Sequence, residues 1–185
     1  MASTFFNDDP RSDEELVAAA NEGDAAAFGA LYRRHRDWVV SIAYRFTRDA
    51  HAAQDVTQEC FIYLLKKFPG FEMKAKIRTL LYTAAKHRAI DRARKLRRLQ
   101  GDEGVFEALA APPVREVGEE GLLAAVLEKL PDHQREVLVL RFVEGFQLGE
   151  IARAMEIPVG TVKSRLHLGL KALRADPRTR KLLEG

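Results

Sequence analysis

Apolar residues recur at intervals of three and four along nearly the whole chain, and this spacing constrains the fold more than any other feature. In residues 28–46 the positions that share one helical face are Phe28, Leu31, Tyr32, His35, Trp38, Val39, Ile42 and Phe46. The run VLVLRF, residues 137–142, suits a strand by composition, but no second run is present to pair with it. We therefore interpret it as a buried helix and predict an all-α protein.

Capping residues indicate where the first helices begin and end. Ser12 and Glu15 have the spacing of a capping box at a helix start. Gly23 suits the left-handed turn that follows a helix, and Asp24 can cap the next one. The segment therefore predicts two helices joined by a tight turn.

Two further helices complete a predicted first domain. Asp49 opens a third helix, which ends before the Pro-Gly pair at residues 69–70, and a fourth covers about residues 76–99. Four amphipathic helices can bury one shared core. We therefore expect a four-helix domain over residues 12–99.

The composition changes after this domain. Residues 100–121 contain Pro112, Pro113, four glycines and mostly acidic charged residues, which is typical of a linker. Helical periodicity then resumes and continues over residues 122–183. The sequence thus predicts two small helical domains joined by a flexible acidic linker.

The net charge of +3 hides a strong segregation of charge along the chain. Residues 74–98 carry ten Lys or Arg against one Asp (+9), and residues 160–181 carry seven against one (+6). Residues 1–28 sum to −6 and residues 102–121 to −5. One basic run is commonly a solvated helix face, but two such runs within amphipathic helices favour contact with a polyanion.

Cysteine and histidine usage argues against metal chemistry. The single Cys60 excludes an internal disulfide and a cysteine-rich zinc site, and the five histidines show no two-ligand helical spacing with a third partner nearby. We expect Cys60 to pack in the core, and we predict neither a metal nor a cofactor.

Nothing in the sequence predicts a membrane segment. No apolar run approaches the roughly 18 residues that a bilayer span needs. The start, MASTFFNDDP, is acidic where a signal peptide would be basic and then apolar. These features indicate a cytoplasmic protein with no direct membrane insertion.

The stretch EIPVGTVKSRLHLGLKALR, residues 156–174, places a Pro-Val-Gly turn before an amphipathic basic helix. At about 100° per residue, the apolar side comprises Val162, Leu166, Gly169, Leu170 and Leu173, and the polar side comprises Ser164, His167 and Lys171. The preceding QLGEIARAM supplies a short helix with the small Ala152 at a close crossing. This is the helix-turn-helix pattern, whose second helix enters the major groove. The alternative is a helical hairpin with a solvated basic face.

Two halves of the chain resemble one known family. Residues 130–174, from the Leu-Pro-x-x-x-Arg-Glu-Val start to Gly-Thr-Val-Lys-Ser-Arg-Leu-His, resemble the promoter-recognition domain of extracytoplasmic-function (ECF) sigma factors. In the first half, AQDVTQECFIYLLKKFPGF is similar to the family's polymerase-binding helix, and LLYTAAKHRAIDRARK to its promoter-melting helix. The resemblance covers roughly residues 12–175, in the family's order and spacing.

This resemblance implies a sigma region 2 domain of four helices and a helix-turn-helix sigma region 4 domain. It implies a protein that is not an enzyme, binds the RNA polymerase core and directs transcription initiation at promoters. The implied partners are promoter DNA, the clamp helices of the largest polymerase subunit, the flap of the second-largest subunit and an anti-sigma factor, which can hold such a protein at the membrane. The acidic linker would pass through the polymerase channels, or it is a disordered tether.

A face of the third helix fits a role in core binding. Its predicted buried side comprises Ala53, Val56, Cys60, Tyr63 and Leu64. Another face carries the acidic and polar residues and one isoleucine that a basic helical partner could dock on: Asp55, Gln58, Glu59 and Ile62. The resemblance implies that this partner is the clamp helices, whereas the residues alone also allow a solvated acidic face.

The fourth helix and the loop KFPGFEMKAK fit a role in opening DNA. Strand opening requires stacking surface for an unstacked base and positive charge for phosphates. The resemblance implies that these residues bind the minus-ten element: Phe68, Phe71, Lys74, Lys76, Lys86, His87, Arg88, Arg92 and Arg94. Leu80 and His87 stand where the family often has Trp and Asn. We expect Leu80 to keep a core role and His87 to alter base preference.

The resemblance implies that the second domain binds the minus-thirty-five element. The expected contacts are Thr161, Lys163, Ser164, Arg165, His167 and Lys171, with the division between phosphates and bases left open. Many family members have Arg-Ala-Arg where this chain has Leu168, Gly169 and Leu170. We expect fewer phosphate contacts there, and an exposed Leu168 that contacts either a thymine methyl or another protein.

Two other function classes remain open at this stage. A stand-alone helix-turn-helix regulator would need a dimer surface and a sensing domain, for which no motif is evident. A helical nuclease would need inward-facing carboxylates, whereas the acids here lie on outer helix faces.

Overall fold

The computed structural model describes residues 9–100 and 126–179, and every regular element in these stretches is helical. The first stretch contains α1 (Asp13–Asn21), α2 (Ala25–Thr47), α3 (Ala50–Leu65) and α4 (Ile77–Gln100). The second contains α5 (Asp132–Leu138), a π-helical segment (Val139–Val143), α6 (Leu148–Met155) and α7 (Val159–Ala175). The predicted all-α fold is confirmed.

The chain divides into two compact units between Lys95 and Leu96, and each is described separately. The predicted linker, residues 100–121, lies outside the described residues except for Gln100. The domain limits at residues 99 and 122 therefore stay predictions.

The start of the first unit follows its capping residues. The Ser12 N–H donates to Glu15 Oε2 at 2.6 Å, and the Glu15 N–H donates to Ser12 Oγ at 3.2 Å, which completes the predicted capping box. Gly23 has φ +94°, and Asp24 Oδ1 accepts two N–H groups of the first turn of α2 at 2.8 and 3.1 Å. Local polar chemistry thus sets the turn between α1 and α2.

The core of the first unit lies where the predicted apolar faces meet. Helix α2 packs against both α1 and α3. The largest fully enclosed side chains are Leu16 of α1, Leu31, Val39 and Ile42 of α2, Val56 and Leu64 of α3, and Ile77 and Leu81 of α4. Burying each of these contributes about 1.5–3 kcal/mol to the hydrophobic stabilisation.

An ionic cluster fastens the beginning of α1 to α2. Asp13 Oδ1 accepts a hydrogen bond from Arg34 Nη1 at 2.7 Å, and Asp13 Oδ2 lies 3.0 Å from Nε2 of the buried His35. Burial raises the pKa of Asp13, but the hydrogen bonds with His35 and Arg34 together lower it by more. The pKa of Asp13 therefore lies below its usual value of 3.8. The carboxylate therefore stays charged and holds the two helices together.

The segment of residues 137–142 corrects one sequence prediction. It is helical and buried from Val137 to Leu140, but a π-helical turn begins at Val139, where the Glu144 N–H donates to the Val139 carbonyl at 3.0 Å. The extra residue in this turn shifts the register of the side chains that follow. Phe142, predicted to be buried, is 63% exposed, beside Val143 at 62%.

The second unit packs α5 and α6 against α7. Its apolar cluster comprises Leu127, Leu130 and Leu138, with Leu166, Leu170, Ala172 and Leu173 against them. Arg135, from the Leu-Pro-x-x-x-Arg motif, is buried and donates to the carbonyls of residues 127, 128 and 130 at 2.8, 2.8 and 2.9 Å. This arginine is therefore a structural residue, because it supplies hydrogen-bond donors to the backbone carbonyls of the segment before α5.

Candidate functional site

The acidic face of α3 is exposed as the sequence predicts. Asp55, Gln58 and Glu59 are exposed, and Ile62 is 51% exposed, so an exposed apolar side chain shares this side of the helix with two carboxylates. We call these four residues the docking face. Their spacing of three and four residues places them along one side of the helix.

Tyr63 departs from its predicted place on the buried side of α3, because it is exposed. Lys67 Nζ lies 4.4 Å from the centroid of its ring, and Arg88 Cζ lies 4.7 Å from it. Two cations attracted to the ring offset the cost of leaving it outside the core. Its helical position is close to the core boundary, so periodicity alone could not decide this.

Cys60 occupies the predicted core position and is fully enclosed. Burial raises the pKa of its thiol to about 12, with Arg88 opposing that shift and Glu59 adding to it. A thiol that stays protonated and enclosed is unreactive. This fits a packing role.

One ion pair joins two residues that the sequence assigned to different partners. Arg92 Nη2 donates to Asp55 Oδ2, which links α4 to the docking face of α3. Neither position predicts the other, because they are far apart in sequence. The pairing means that a carboxylate predicted to bind core polymerase and an arginine predicted to bind DNA neutralise each other in this structure.

Loop 66–76, between α3 and α4, carries a small aromatic cluster. The Phe68 ring lies edge-on to Phe28 of α2, with centroids 5.9 Å apart, and to Phe71, with centroids 5.4 Å apart. Both predicted stacking residues, Phe68 and Phe71, are half-buried. The Phe68–Pro69 peptide bond is cis. The loop therefore presents two aromatic rings that already contact each other.

Asn21, which the sequence did not single out, anchors this loop. Its Oδ1 accepts the N–H groups of Gly70 and Phe71, both at 2.8 Å, and its Nδ2 donates to the Phe71 carbonyl at 3.0 Å. Nothing local distinguishes an asparagine at a helix end that binds a distant loop from one that binds water. Only the tertiary structure reveals this role.

The basic residues of loop 66–76 and α4 lie near the aromatic cluster in sequence but differ in exposure. Lys74, Lys76, His87 and Arg94 are exposed, whereas Lys86, Arg88 and Arg92 are half-buried. Leu80, expected in the core, is half-buried beside the enclosed Leu81. Arg78, missed by the sequence reading, stacks over Trp38 with Cζ 4.5 Å from the ring.

A tight turn joins α6 to α7. Glu156 ends α6 in the left-handed conformation, with φ +56°, and Pro158 immediately precedes α7. Ile151 and Ala152 of α6 are buried, as a crossing at the small residue requires. Helix, tight turn and helix therefore form the predicted helix-turn-helix arrangement.

The outer side of α7 is polar and basic. Lys163, Ser164, His167 and Lys171 are exposed, and we call these four residues the reading face. None of the four side chains forms a hydrogen bond or ion pair within residues 9–100 and 126–179. The other two predicted contacts, Thr161 and Arg165, are half-buried at its edge.

The three residues that replace Arg-Ala-Arg have different surroundings. Leu168 is 48% exposed, whereas Leu170 packs against the apolar cluster of the second unit. Gly169 is buried, and a Cβ atom there would lie 2.9 Å from Leu138 Cδ1. Gly169 thus allows α5 and α7 to approach closely, and only Leu168 of the three changes the outer surface.

A helical unit with an acidic docking face and a cationic aromatic loop, together with a helix-turn-helix unit, defines a DNA-binding protein of the transcription machinery. The Sigma-70 region 2 family model matches residues 31–99, and the Sigma-70 region 4 model matches residues 120–173. Both units are therefore covered by models of one family.

Curated relatives agree with these matches. The chain is 32% identical over 182 residues to the ECF RNA polymerase sigma factor SigW of Bacillus subtilis, with 89% of this chain and 96% of that protein covered. It is 30% identical over 178 residues to the RNA polymerase sigma-H factor of Pseudomonas aeruginosa, covering 87% and 91%. This chain belongs to the ECF group of sigma-70 factors, which direct RNA polymerase to promoters.

Solved structures share the fold. CnrH, in complex with the cytosolic domain of CnrY, has a TM-score of 0.61 at 24% identity, with 93% of this chain and 97% of that chain covered. The sigma factor RpoE of Bartonella quintana, in complex with the anti-sigma factor NepR, has a TM-score of 0.60 at 22% identity, covering 80% and 94%. In the described part of the present chain, no helix is long and apolar enough to cross a bilayer.

Proposed function

We propose that α7 locates the promoter and that loop 66–76 with α4 opens it. The observation that carries this division is the contrast between the two surfaces. The reading face of α7 is a set of exposed polar side chains on one side of a helix, with no side-chain partner in the described residues, which suits the edges of paired bases. Loop 66–76 instead offers two aromatic rings in contact and the exposed cations Lys74 and Lys76, which suits an unstacked base and its phosphates.

The docking face of α3 is the proposed contact with the clamp helices of the polymerase. Ile62 supplies an apolar centre, and Asp55, Gln58 and Glu59 supply polar contacts around it. The Asp55–Arg92 ion pair lies at the surface, where such a pair contributes about 0–1 kcal/mol, so a basic partner can displace the half-buried arginine from Asp55. Core binding then releases Arg92 toward DNA.

For the minus-ten element, we propose Phe71 as the principal stacking surface. Phe68 is held between two other rings, so its role is to support Phe71. Cations flank the loop and the following helix and are proposed to bind the phosphates of the opened strand: Lys74, Lys76, Lys86, Arg88, Arg92 and Arg94. His87, exposed on α4, is proposed to contact a base of this element.

For the minus-thirty-five element, the reading face is proposed to enter the major groove. Lys163, Ser164 and His167 lie in the first turns of α7, where a recognition helix contacts base edges. Thr161 and Arg165 at its edge, and Lys171 further along, are proposed to bind phosphates and fix the register.

The second unit also exposes an apolar pair that fits a protein partner. Phe142 and Val143 are exposed on the π-helical segment, which precedes the basic helix α7 in sequence. We propose that they dock on the flap of the second-largest polymerase subunit. Since the structural neighbour RpoE is bound to the anti-sigma factor NepR, we also propose an anti-sigma partner. The protein then acts in the cytoplasm, as a binding factor and not as an enzyme.

Transcription with purified core polymerase tests this function. We expect the chain to give promoter-specific RNA only in the presence of core, and the Asp55→Ala, Glu59→Ala double variant to bind core about tenfold more weakly. Asp37→Ala, which removes an exposed carboxylate of α2, is the matched control. DNA binding by the chain alone, without core-dependent RNA, would instead support a stand-alone regulator.

A further inference from the structure

We infer that Asn21 is a positioning residue for DNA opening, because it fixes loop 66–76 in the conformation that receives the unstacked base. This inference rests on the proposed function of the loop. Asn21 lies ahead of residue 31, where the match to the region 2 model begins.

The side chain of Asn21 replaces the backbone partners that the loop lacks. Oδ1 accepts two successive N–H groups, from Gly70 and Phe71, and Nδ2 donates back to the Phe71 carbonyl. The amide thereby uses both acceptor sites and one donor, and it brackets Phe71 from both sides of its backbone. Three bonds from one side chain hold a residue more firmly than one bond would.

Asn21 is itself held in place. It is the last residue of α1, whose Leu16, Val17 and Ala20 are buried against the core. At the other end of α1, Asp13 is bonded to Arg34 and His35 of α2. Because α1 is fixed at both ends, the position of its terminal amide is transmitted to the loop.

A second anchor acts on the neighbouring ring. Phe68 packs edge-on against Phe28 of α2, and Phe71 packs edge-on against Phe68. The backbone of Phe71 is thus set by α1 and its ring by α2 through Phe68. The surface that an unstacked base contacts is already ordered. DNA opening therefore does not include the entropic cost of ordering the loop.

The experiment compares holoenzymes on a forked promoter probe whose non-template strand is single-stranded through the minus-ten element. A series of probes carries one abasic site at each position of that strand. With the wild-type chain, we expect one abasic position to weaken binding about tenfold, because stacking of one base is lost. That position marks the captured base.

Asn21→Leu keeps the size of the side chain and removes all three bonds. We expect it to bind the intact fork about tenfold more weakly and to lose the extra effect of the abasic site. Asn21→Asp keeps both accepted bonds but places a carboxylate oxygen against the Phe71 carbonyl, so it should retain only part of the abasic effect. If Asn21→Leu does not fold, Asn21→Ala gives the same readout.

The outcomes separate the inference from the proposed function. If Asn21→Leu or Asn21→Ala keeps the wild-type ratio of binding constants for the intact and abasic probes, the inference is overturned and the proposed function of the loop stands. If no abasic position weakens the wild-type complex, the proposed base capture fails and the inference fails with it. A general loss of folding would weaken binding to a paired minus-thirty-five probe as well, whereas we expect that binding to be unchanged.

Discussion

Loop 66–76 and helix α7 are both proposed to bind promoter DNA, yet they orient their side chains by different physical means. In α7 the helix alone sets the direction of Lys163, Ser164 and His167, because residues three and four apart share a face. In loop 66–76 the direction of Phe71 depends on Asn21 of α1 and, through Phe68, on Phe28 of α2. The first device suits a regular duplex, and the second suits a single base that has left the stack.

This difference implies that damage to the two surfaces has different consequences. A substitution on α7 removes individual contacts and leaves the rest of the face in place. A substitution that loosens loop 66–76 changes the shape of the whole receiving surface. The comparison can therefore be tested by asking whether losses are recovered at higher protein concentration.

The largest expected effect is the loss of DNA binding when basic residues of the reading face of α7 and its edge are removed. Lys163→Ala combined with Arg165→Ala should weaken holoenzyme binding to a duplex minus-thirty-five probe about 100-fold, because a base contact of about 1–3 kcal/mol and a phosphate contact are lost together. Binding constants on that duplex and on a minus-ten fork check this. Lys129→Ala, an exposed cation outside α7, is the matched control. Equal losses on both probes would contradict the assignment of α7 to the upstream element.

A smaller effect is expected at Asp13, which holds α1 and thereby the loop anchor Asn21. Asp13→Asn should lower the free energy of unfolding by about 1–2 kcal/mol at pH 7, since a charged hydrogen-bond acceptor is lost. Because the folded-state pKa of Asp13 lies below 3.8, its contribution is complete above that pH and disappears as the pH falls further. Denaturant unfolding at pH 7 and at pH 3 checks this.

The control for this measurement is Asp37→Asn, whose carboxylate is exposed on α2. It should change stability little at either pH. A difference between wild type and Asp13→Asn that grows at pH 3 would contradict the sign of the linkage.

The smallest effect concerns Leu168, the exposed leucine on α7. If it contacts a thymine methyl, replacing that thymine with uracil should weaken wild-type holoenzyme binding about fourfold, because about one buried methyl is lost. Leu168→Ala should bind the thymine and uracil probes equally well. A uracil effect that persists in Leu168→Ala would place the methyl contact elsewhere, and no effect at any thymine would leave Leu168 for a protein partner.

Much of the helical framework could be predicted because its determinants are local. The caps of α1 and α2 and the turn between them depend on residues only a few positions apart, which are Ser12, Glu15, Gly23 and Asp24. The polar face of α7 follows from helical periodicity. The exposed docking face of α3 was predictable for the same reason.

The missed features depend on contacts between residues far apart in sequence or on a change of helical register. The Asn21 bonds to the loop span 49 and 50 residues, and the Asp55–Arg92 pair spans 37. Phe142 was misplaced because the π-helical turn at Val139 rotates it out of the core. Such features arise from tertiary packing, which a single sequence does not display.

The central claim is that α7 locates the promoter while loop 66–76 opens it. The most direct test is the fluorescence of 2-aminopurine placed in the minus-ten element of a duplex promoter, measured as holoenzyme is raised to saturation. We predict that Lys163→Ala with Arg165→Ala reaches the full wild-type fluorescence at higher concentration, whereas Phe71→Ala saturates DNA binding with little increase in fluorescence. Full opening by Phe71→Ala at saturation, or failure of the α7 variant to open DNA at any concentration, would contradict the claim.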